Sequence, residues 1–264
     1  MLIEAQKISL DVPDMGHQAV FGQRRKLRIL KDVSLSINAS ETVGIVGESG
    51  SGKTSLGRTL LRLYQPSAGQ LLFDGQDISS LSRVEMTPLR RRMQMIFQDP
   101  QSSLNPRHSI GNILSGALQL HGLDASEKAL AAILARVGLP ASALQRYPHQ
   151  LSGGQRQRVG IARAIALRPD FIVADEIVSG LDVSTQAQVL DLLRGLKAEM
   201  GMALAFISHD LSVVRHLCDR VIIMRAGEIV EEGRTVDVFA APKTEFTRNL
   251  IDCIPLPEPR PGWL

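Results

Sequence analysis

The chain has 264 residues, 44% hydrophobic and 22% charged, a composition that excludes disordered, collagenous and coiled-coil chains and suits one large domain or a core with an insert. Its 30 Lys and Arg against 27 Asp and Glu leave a net charge of +3, too small an excess for a nucleic-acid-binding face. Cys218 and Cys253 lack disulfide-scaffold or zinc spacing, Glu4 interrupts any leader pattern, and no apolar run approaches roughly 18 residues. These features predict a soluble chain in a reducing compartment that reaches a membrane only through a partner.

The first 40 residues carry short β-type segments, among them the alternation Val33, Leu35, Ile37, with a loop predicted from Pro13 to Arg28. The basic runs Arg24-Arg25-Lys26 and Arg90-Arg91-Arg92 read as solvated surface. Thr42 to Val46 reads as a buried strand entering a glycine-rich turn, and Leu56, Leu60 and Leu63 follow at helical spacing. Residues 109 to 147 are helical in composition, broken at Pro140 and Pro148, and predict an inserted helical subdomain. From Phe171 the pattern is strand to Ala174, a helix through Val189, Leu192, Leu193, Leu196 and Met200, strand Ala203 to Ile207, a further helix, and strand Val221 to Met224. Such alternation predicts an α/β fold with a parallel sheet covered by helices. The tail with Pro255, Pro257, Pro259 and Pro261 cannot be helical and is expected to lie extended on the surface.

Three segments carry chemistry. Gly47-Glu48-Ser49-Gly50-Ser51-Gly52-Lys53-Thr54 fits G-x-x-x-x-G-K-[ST] between a predicted strand and a predicted helix, the context of a phosphate-binding P-loop. Its glycines let backbone N–H groups turn in around phosphate oxygens, Lys53 neutralises the terminal phosphates, and Thr54 offers a hydroxyl to Mg²⁺; the binding segment runs on to Ser55. A strand ending in Asp175-Glu176 supplies a carboxylate for the metal and a second one to accept a proton from the attacking water. Leu151-Ser152-Gly153-Gly154-Gln155 opens a helix, either as a plain Ser152/Gln155 capping box or as a bare N-terminus that a second phosphate can approach.

Taken together these motifs resemble the nucleotide-binding subunit of an ABC (ATP-binding cassette) transporter, whose signature LSGGQ resembles Ser152, Gly153, Gly154 and Gln155 with Leu151 before them. The family's order of P-loop, Q-loop, signature, Walker B, D-loop and H-loop runs here as Lys53, Gln98, Ser152, Asp175, Asp182 (in Ser179-Gly180-Leu181-Asp182) and His209. The resemblance implies a P-loop NTPase cassette: one nucleotide-binding domain over 1–264, with a RecA-like parallel core, an N-terminal antiparallel β subdomain, a helical subdomain over about 99–165, and a tail over 242–264. It implies ATP and Mg²⁺ as ligands, with Thr54, Gln98 and Asp175 around the metal and Glu176, His209 and Gln98 catalytic. It also implies a head-to-tail dimer in which Ser152 to Gln155 complete the partner's ATP site, and a coupling groove between about 99 and 150.

A narrower resemblance, to the oligopeptide/dipeptide/nickel importer branch, rests on Phe97 to Arg107, the Phe21-Gly22 and Arg24-Arg25 insert, and Phe246 to Pro257. It implies uptake of peptides or a related small solute with two transmembrane permease subunits, a second homologous ATPase subunit and an extracytoplasmic solute-binding protein. The chain would then sit peripherally on the cytoplasmic side of the inner membrane, with no nucleic acid partner. The other reading is an accessory ATPase of a soluble enzyme complex, similar to those of carbon–phosphorus lyase. Two departures stand out: Val12-Pro13 occupies the place of the family's adenine-stacking aromatic, for which Phe21 is the other candidate, and Ile177, Val178 and Gly180 replace the usual residues after Walker B.

Overall fold

In the computed structural model, which describes residues 1–14, 26–99 and 103–254, β3 (Thr42–Gly47) is buried at every residue in the middle of a six-stranded sheet. The other strands are β6 (Met93–Ile96), β7 (Phe171–Asp175), β8 (Ala203–Ile207), β9 (Arg220–Arg225) and β10 (Glu228–Arg234), in the order β10-β9-β3-β8-β7-β6. β6, β7, β8, β3 and β9 run parallel, and only β10 is antiparallel to its neighbour. Continuous apolar runs such as Ala203–Ile207, buried throughout, are what a strand covered on both faces requires. Each buried Leu, Phe or Ile of this kind stabilises the fold by about 1.5–3 kcal/mol.

The helix after β3, α1 (Lys53–Leu60), packs on β7 and β8. Gly57 permits that approach, since a Cβ there would stand 2.7 Å from Ile207 Cδ1 and 2.8 Å from Val173 Cγ1. α1 ends before Leu63: Arg62 turns to φ 53°, and Leu63, predicted on the buried face, is instead 46% exposed.

A second, antiparallel sheet has the order β2-β1-β4-β5, from β1 (Ile3–Pro13), β2 (Lys26–Ile37), β4 (Ala68–Phe73) and β5 (Gln76–Asp77). Val33, Leu35 and Ile37 are all buried, as their alternation predicts. The predicted loop from Pro13 to Arg28 is shorter than expected, because β1 runs to Pro13 and β2 starts at Lys26, where Pro13 and Lys26 pair.

Between β6 and β7 lies the helical insert, with α2 (Arg83–Arg92) leading into β6 ahead of it. It contains α3 (Ile110–Leu120), α4 (Glu127–Arg136), 3-10 turns at Ala141–Gln145 and Pro148–Gln150, and α5 (Gly153–Ile165). Ser109, Ser126 and Ser152 cap α3, α4 and α5 by accepting a backbone N–H of the first turn. Ile110, Leu114, Leu118, Leu130 and Leu134 form the core of the insert. Pro140 and Pro148 stand at the starts of the two 3-10 turns, where the sequence places breaks. α6 (Val183–Met200), α7 (Leu211–Leu217), α8 (Thr235–Ala240) and α9 (Glu245–Asp252) complete the described chain.

The run Arg90-Arg91-Arg92 is not plain surface. Arg90 donates to the carbonyls of Leu61 and Arg62, and Arg92 lies over the Phe73 ring at 4.7 Å while pairing with Asp74 and Asp170. Arg24, Arg25 and the tail from Pro255 lie outside the described residues. Among those described, no helix is long and apolar enough to cross a membrane.

Candidate active site

The parallel strands deliver their C-terminal ends to one edge, and the loop after β3 is shaped for an anion. Gly47 turns at φ 153°, and a Cβ on it would collide with the Met224 carbonyl oxygen at 2.1 Å. Glu48, Ser49 and Gly50 are exposed, while Ser51 and Lys53 are buried. Lys53 Nζ donates to the carbonyls of Gly47 at 2.8 Å and Glu48 at 2.7 Å, folding the loop around its own ammonium. Burial pulls this ammonium below the usual lysine range, against the opposing pull of Glu176 and Asp175. No acid sits in the first turn of α1, so the partial positive charge of its N-terminus is left for a ligand.

Two of the predicted metal donors meet: Thr54 Oγ1 donates to Asp175 Oδ1 at 3.0 Å. Burial at the end of β7 raises the Asp175 carboxyl above its ordinary value, and the Thr54 hydrogen bond and the Arg58 and Lys53 charges offset part of that rise. Glu176 follows with φ 46°, a left-handed backbone for a residue with a side chain, fixed by its N–H donating to the Ile207 carbonyl at 2.9 Å. That turn swings its carboxylate toward two other predicted residues. Gln98 Nε2 donates to Glu176 Oε2 at 2.9 Å, and His209 Nδ1 lies 3.6 Å from the same oxygen.

Ser152 to Gln155 and Asp182 form a second group. Ser152 Oγ accepts from Gln155 N–H at 3.2 Å while Gln155 Oε1 accepts from Ser152 N–H at 3.1 Å, so the capping box exists. Asp182 caps α6 by accepting from Ser184 Oγ, Thr185 N–H and Thr185 Oγ1, and these bonds hold its carboxyl far below the usual range. The two caps touch: a Cβ on Gly154 would lie 2.6 Å from Thr185 Cγ2, and one on Gly153 would lie 3.9 Å from Leu181 Cδ2. Gly154 is therefore glycine for close packing as well as for any phosphate.

No hydrogen bond links the two groups among the described residues, but Gln98 and Gly153 border one cleft. Sequence reasoning missed Thr185 and Gln157, which also borders that cleft. The signal for Gln157 was a polar residue at i−4 to Ile161 on the apolar stripe of α5. Val12, at the expected base position, is half-buried opposite Leu27, and Phe21 lies outside the described residues.

A family model described as ABC transporter matches residues 30–179. A protein of Brucella ovis named for peptide import as an ATP-binding protein is 53% identical over 236 residues, covering 88% of this chain and 74% of that one. The glutathione import ATP-binding protein GsiA of Salmonella paratyphi A is 48% identical over 238 residues, 89% of this chain and 38% of its own length. The ATP-binding cassette MJ0796, solved as a dimer in a post-hydrolysis state with ADP and Pi, superposes with a TM-score of 0.77 at 28% identity, over 88% of this chain and 98% of that one. CbiO1 of Clostridium perfringens, part of the ABC transporter complex cbiONQ, gives 0.76 at 26% identity over 90% of each chain.

Proposed function

The chain belongs to the ABC transporter family, and we infer that it is the ATP-binding and hydrolysing subunit of an importer for peptides or a related small solute. The observation that carries this reading is the meeting of Thr54 with Asp175 and of Gln98 and His209 with Glu176 beside the Lys53 loop. The import names of the relatives favour it over an accessory ATPase of a soluble enzyme.

In this reading the N–H groups of Gly50 to Thr54 and the Lys53 ammonium hold the phosphates, with Gly47 and Gly52 shaping the loop. Thr54 and Asp175 are hard oxygen donors already within hydrogen-bond distance, so both suit Mg²⁺, and Gln98, bonded to the neighbouring Glu176, is the third donor proposed for it. Bound there, Mg²⁺ would neutralise phosphate charge. Glu176 takes the proton of the attacking water, oriented by Gln98, and His209, near the same Glu176 oxygen, reaches the terminal phosphate.

The signature group completes the ATP site of a second, homologous subunit, so that binding closes a head-to-tail dimer and hydrolysis opens it. The dimer of MJ0796, which shares this fold, supports this. The coupling groove expected at 99–150 would adjoin a cavity at the root of that segment. That cavity, of about 510 Å³, is lined by Leu61, Leu63, Met93, Met95, Arg163 and Phe97, the last next to Gln98 in the chain, and from 99–150 only Ser103 joins it among the described residues. Two permease subunits would dock there, keeping the chain on the cytoplasmic side of the inner membrane, with a solute-binding protein on the other side of the complex.

The test is a mild-detergent pull-down from native membranes, followed by MgATP-dependent peptide uptake in vesicles carrying the co-purified complex. Co-purifying permeases and uptake that needs this chain are expected. Soluble enzymes alone, or uptake that is unchanged without the chain, would overturn the importer.

A further inference from the structure

Gln157 is 1% exposed on α5, and a buried carboxamide ordinarily pairs its N–H groups. Its Nε2 has no hydrogen-bond partner among the described residues, and neither does Nε of adjacent Arg156. A donor shut away from water without an acceptor raises the energy of the arrangement that holds it. Both residues line a cleft of about 350 Å³ whose other walls include Gln98, Ser179, Gly180 and Leu181. Along that loop the Ser179 and Gly180 carbonyls accept no hydrogen bond among the described residues. Unmet donors on the signature helix and the exposed Ser179 and Gly180 of the loop before Asp182 thus border one gap.

The gap is closed at one end already, where Gly154 packs on Thr185 and Gly153 nears Leu181. We propose that Gln157 is a positioning residue for ATP hydrolysis: as the insert closes on the catalytic core, its Nε2 donates to the Ser179 or Gly180 carbonyl and locks residues 152–155 and the Asp182 loop into one body. This rests on the ATPase reading above, because those are the two segments the subunit would offer to its partner's ATP site. Gln98, on the same cleft and bonded to Glu176, makes the closure felt at the catalytic carboxylate.

The experiment uses the full chain with Gln157→Met, which fills the same space without an amide. The melting temperature without nucleotide is expected to hold or rise, since no formed bond is lost. The monomer's affinity for ADP stays within twofold, while kcat falls about tenfold, the effect of one hydrogen bond made only on closing. In the Glu176→Gln background the ATP-induced dimer on gel filtration becomes the minor species. Should Gln157→Met fail to fold, Gln157→Asn, which shortens the arm by one methylene, is expected to give the same kcat loss and the same dimer defect.

A kcat within twofold of the unmodified chain, with the dimer intact, overturns this inference alone. Absence of turnover in the unmodified chain overturns it together with the ATPase reading. A loss of melting temperature matched by weaker ADP binding would mean a packing role and overturn it too.

Discussion

Gln98 Nε2 donates to Glu176 Oε2 at 2.9 Å, so the residue at the root of the helical insert holds the carboxylate that follows β7. Replacing Glu176 by Gln keeps the shape of the left-handed turn and removes the proton acceptor. Turnover should fall by about 10²–10⁴-fold with ATP affinity preserved, measured by phosphate release and by equilibrium binding. Unchanged turnover would take the general-base role from Glu176.

Gln98→Ala tests the other end of the same bond. It leaves Lys53, Thr54 and Asp175 untouched, so nucleotide should still bind, while the loosened carboxylate lowers kcat by roughly tenfold, the scale of one hydrogen bond to a charged group. If kcat stays put and only ATP affinity drops, Gln98 serves the phosphates rather than Glu176.

Much of this site is legible in the sequence because its parts are local. The loop from Gly47 to Thr54 turns through left-handed backbone at Gly50 and Gly52, which glycine supplies, and the apolar run Phe171 to Ala174 ends in Asp175 as a fully buried strand. What the sequence hides is contact across long separations. Arg90 looks like surface in a run of three arginines, yet it is drawn in by the carbonyls at Leu61 and Arg62. Leu63 keeps helical spacing but falls after the turn at Arg62. The paired glycines of the signature suggest a ligand, whereas the reason for Gly154 includes a methyl group 31 residues away, at Thr185.

That methyl supplies a double-mutant test. Gly154→Ala sets a Cβ 2.6 Å from Thr185 Cγ2, and Thr185 cannot step aside without losing its bonds to Asp182. The expected loss is about 1–3 kcal/mol of stability, read by urea unfolding. Thr185→Ser removes Cγ2 and keeps the hydroxyl, so the double variant should recover most of it. If Gly154→Ala is equally harmful with Ser at 185, the glycine is required for something other than this contact.

The two thiols should separate cleanly. Cys218 is buried and its thiol is pushed far up, first by burial and then by Asp219, whereas Cys253 is exposed. A maleimide at pH 7.5 should label one cysteine per native chain, at Cys253, and both after unfolding in guanidinium. Fast labelling of Cys218 in the native chain would mean that α7 opens away from β3.

Asp175 sets a pH dependence whose sign follows from its surroundings. Burial raises its folded carboxyl pKa above the unfolded value of 3.8, so the folded state binds the proton more tightly. Stability without nucleotide therefore falls as pH rises from 3.8 through the raised folded value, and the full penalty persists at neutral pH. Asp175→Asn keeps an oxygen to accept the Thr54 hydroxyl and cannot ionise. Its melting temperature should exceed that of the unmodified chain at pH 7, by about 2–4 °C for each kcal/mol of penalty removed, and the gap should shrink toward acid pH. The same change takes away the charge that suits Mg²⁺, so the stabilisation by MgATP seen in the unmodified chain should be lost. A variant less stable than the parent at pH 7 would mean that the Thr54, Arg58 and Lys53 contacts outweigh the burial of the carboxylate, reversing the sign.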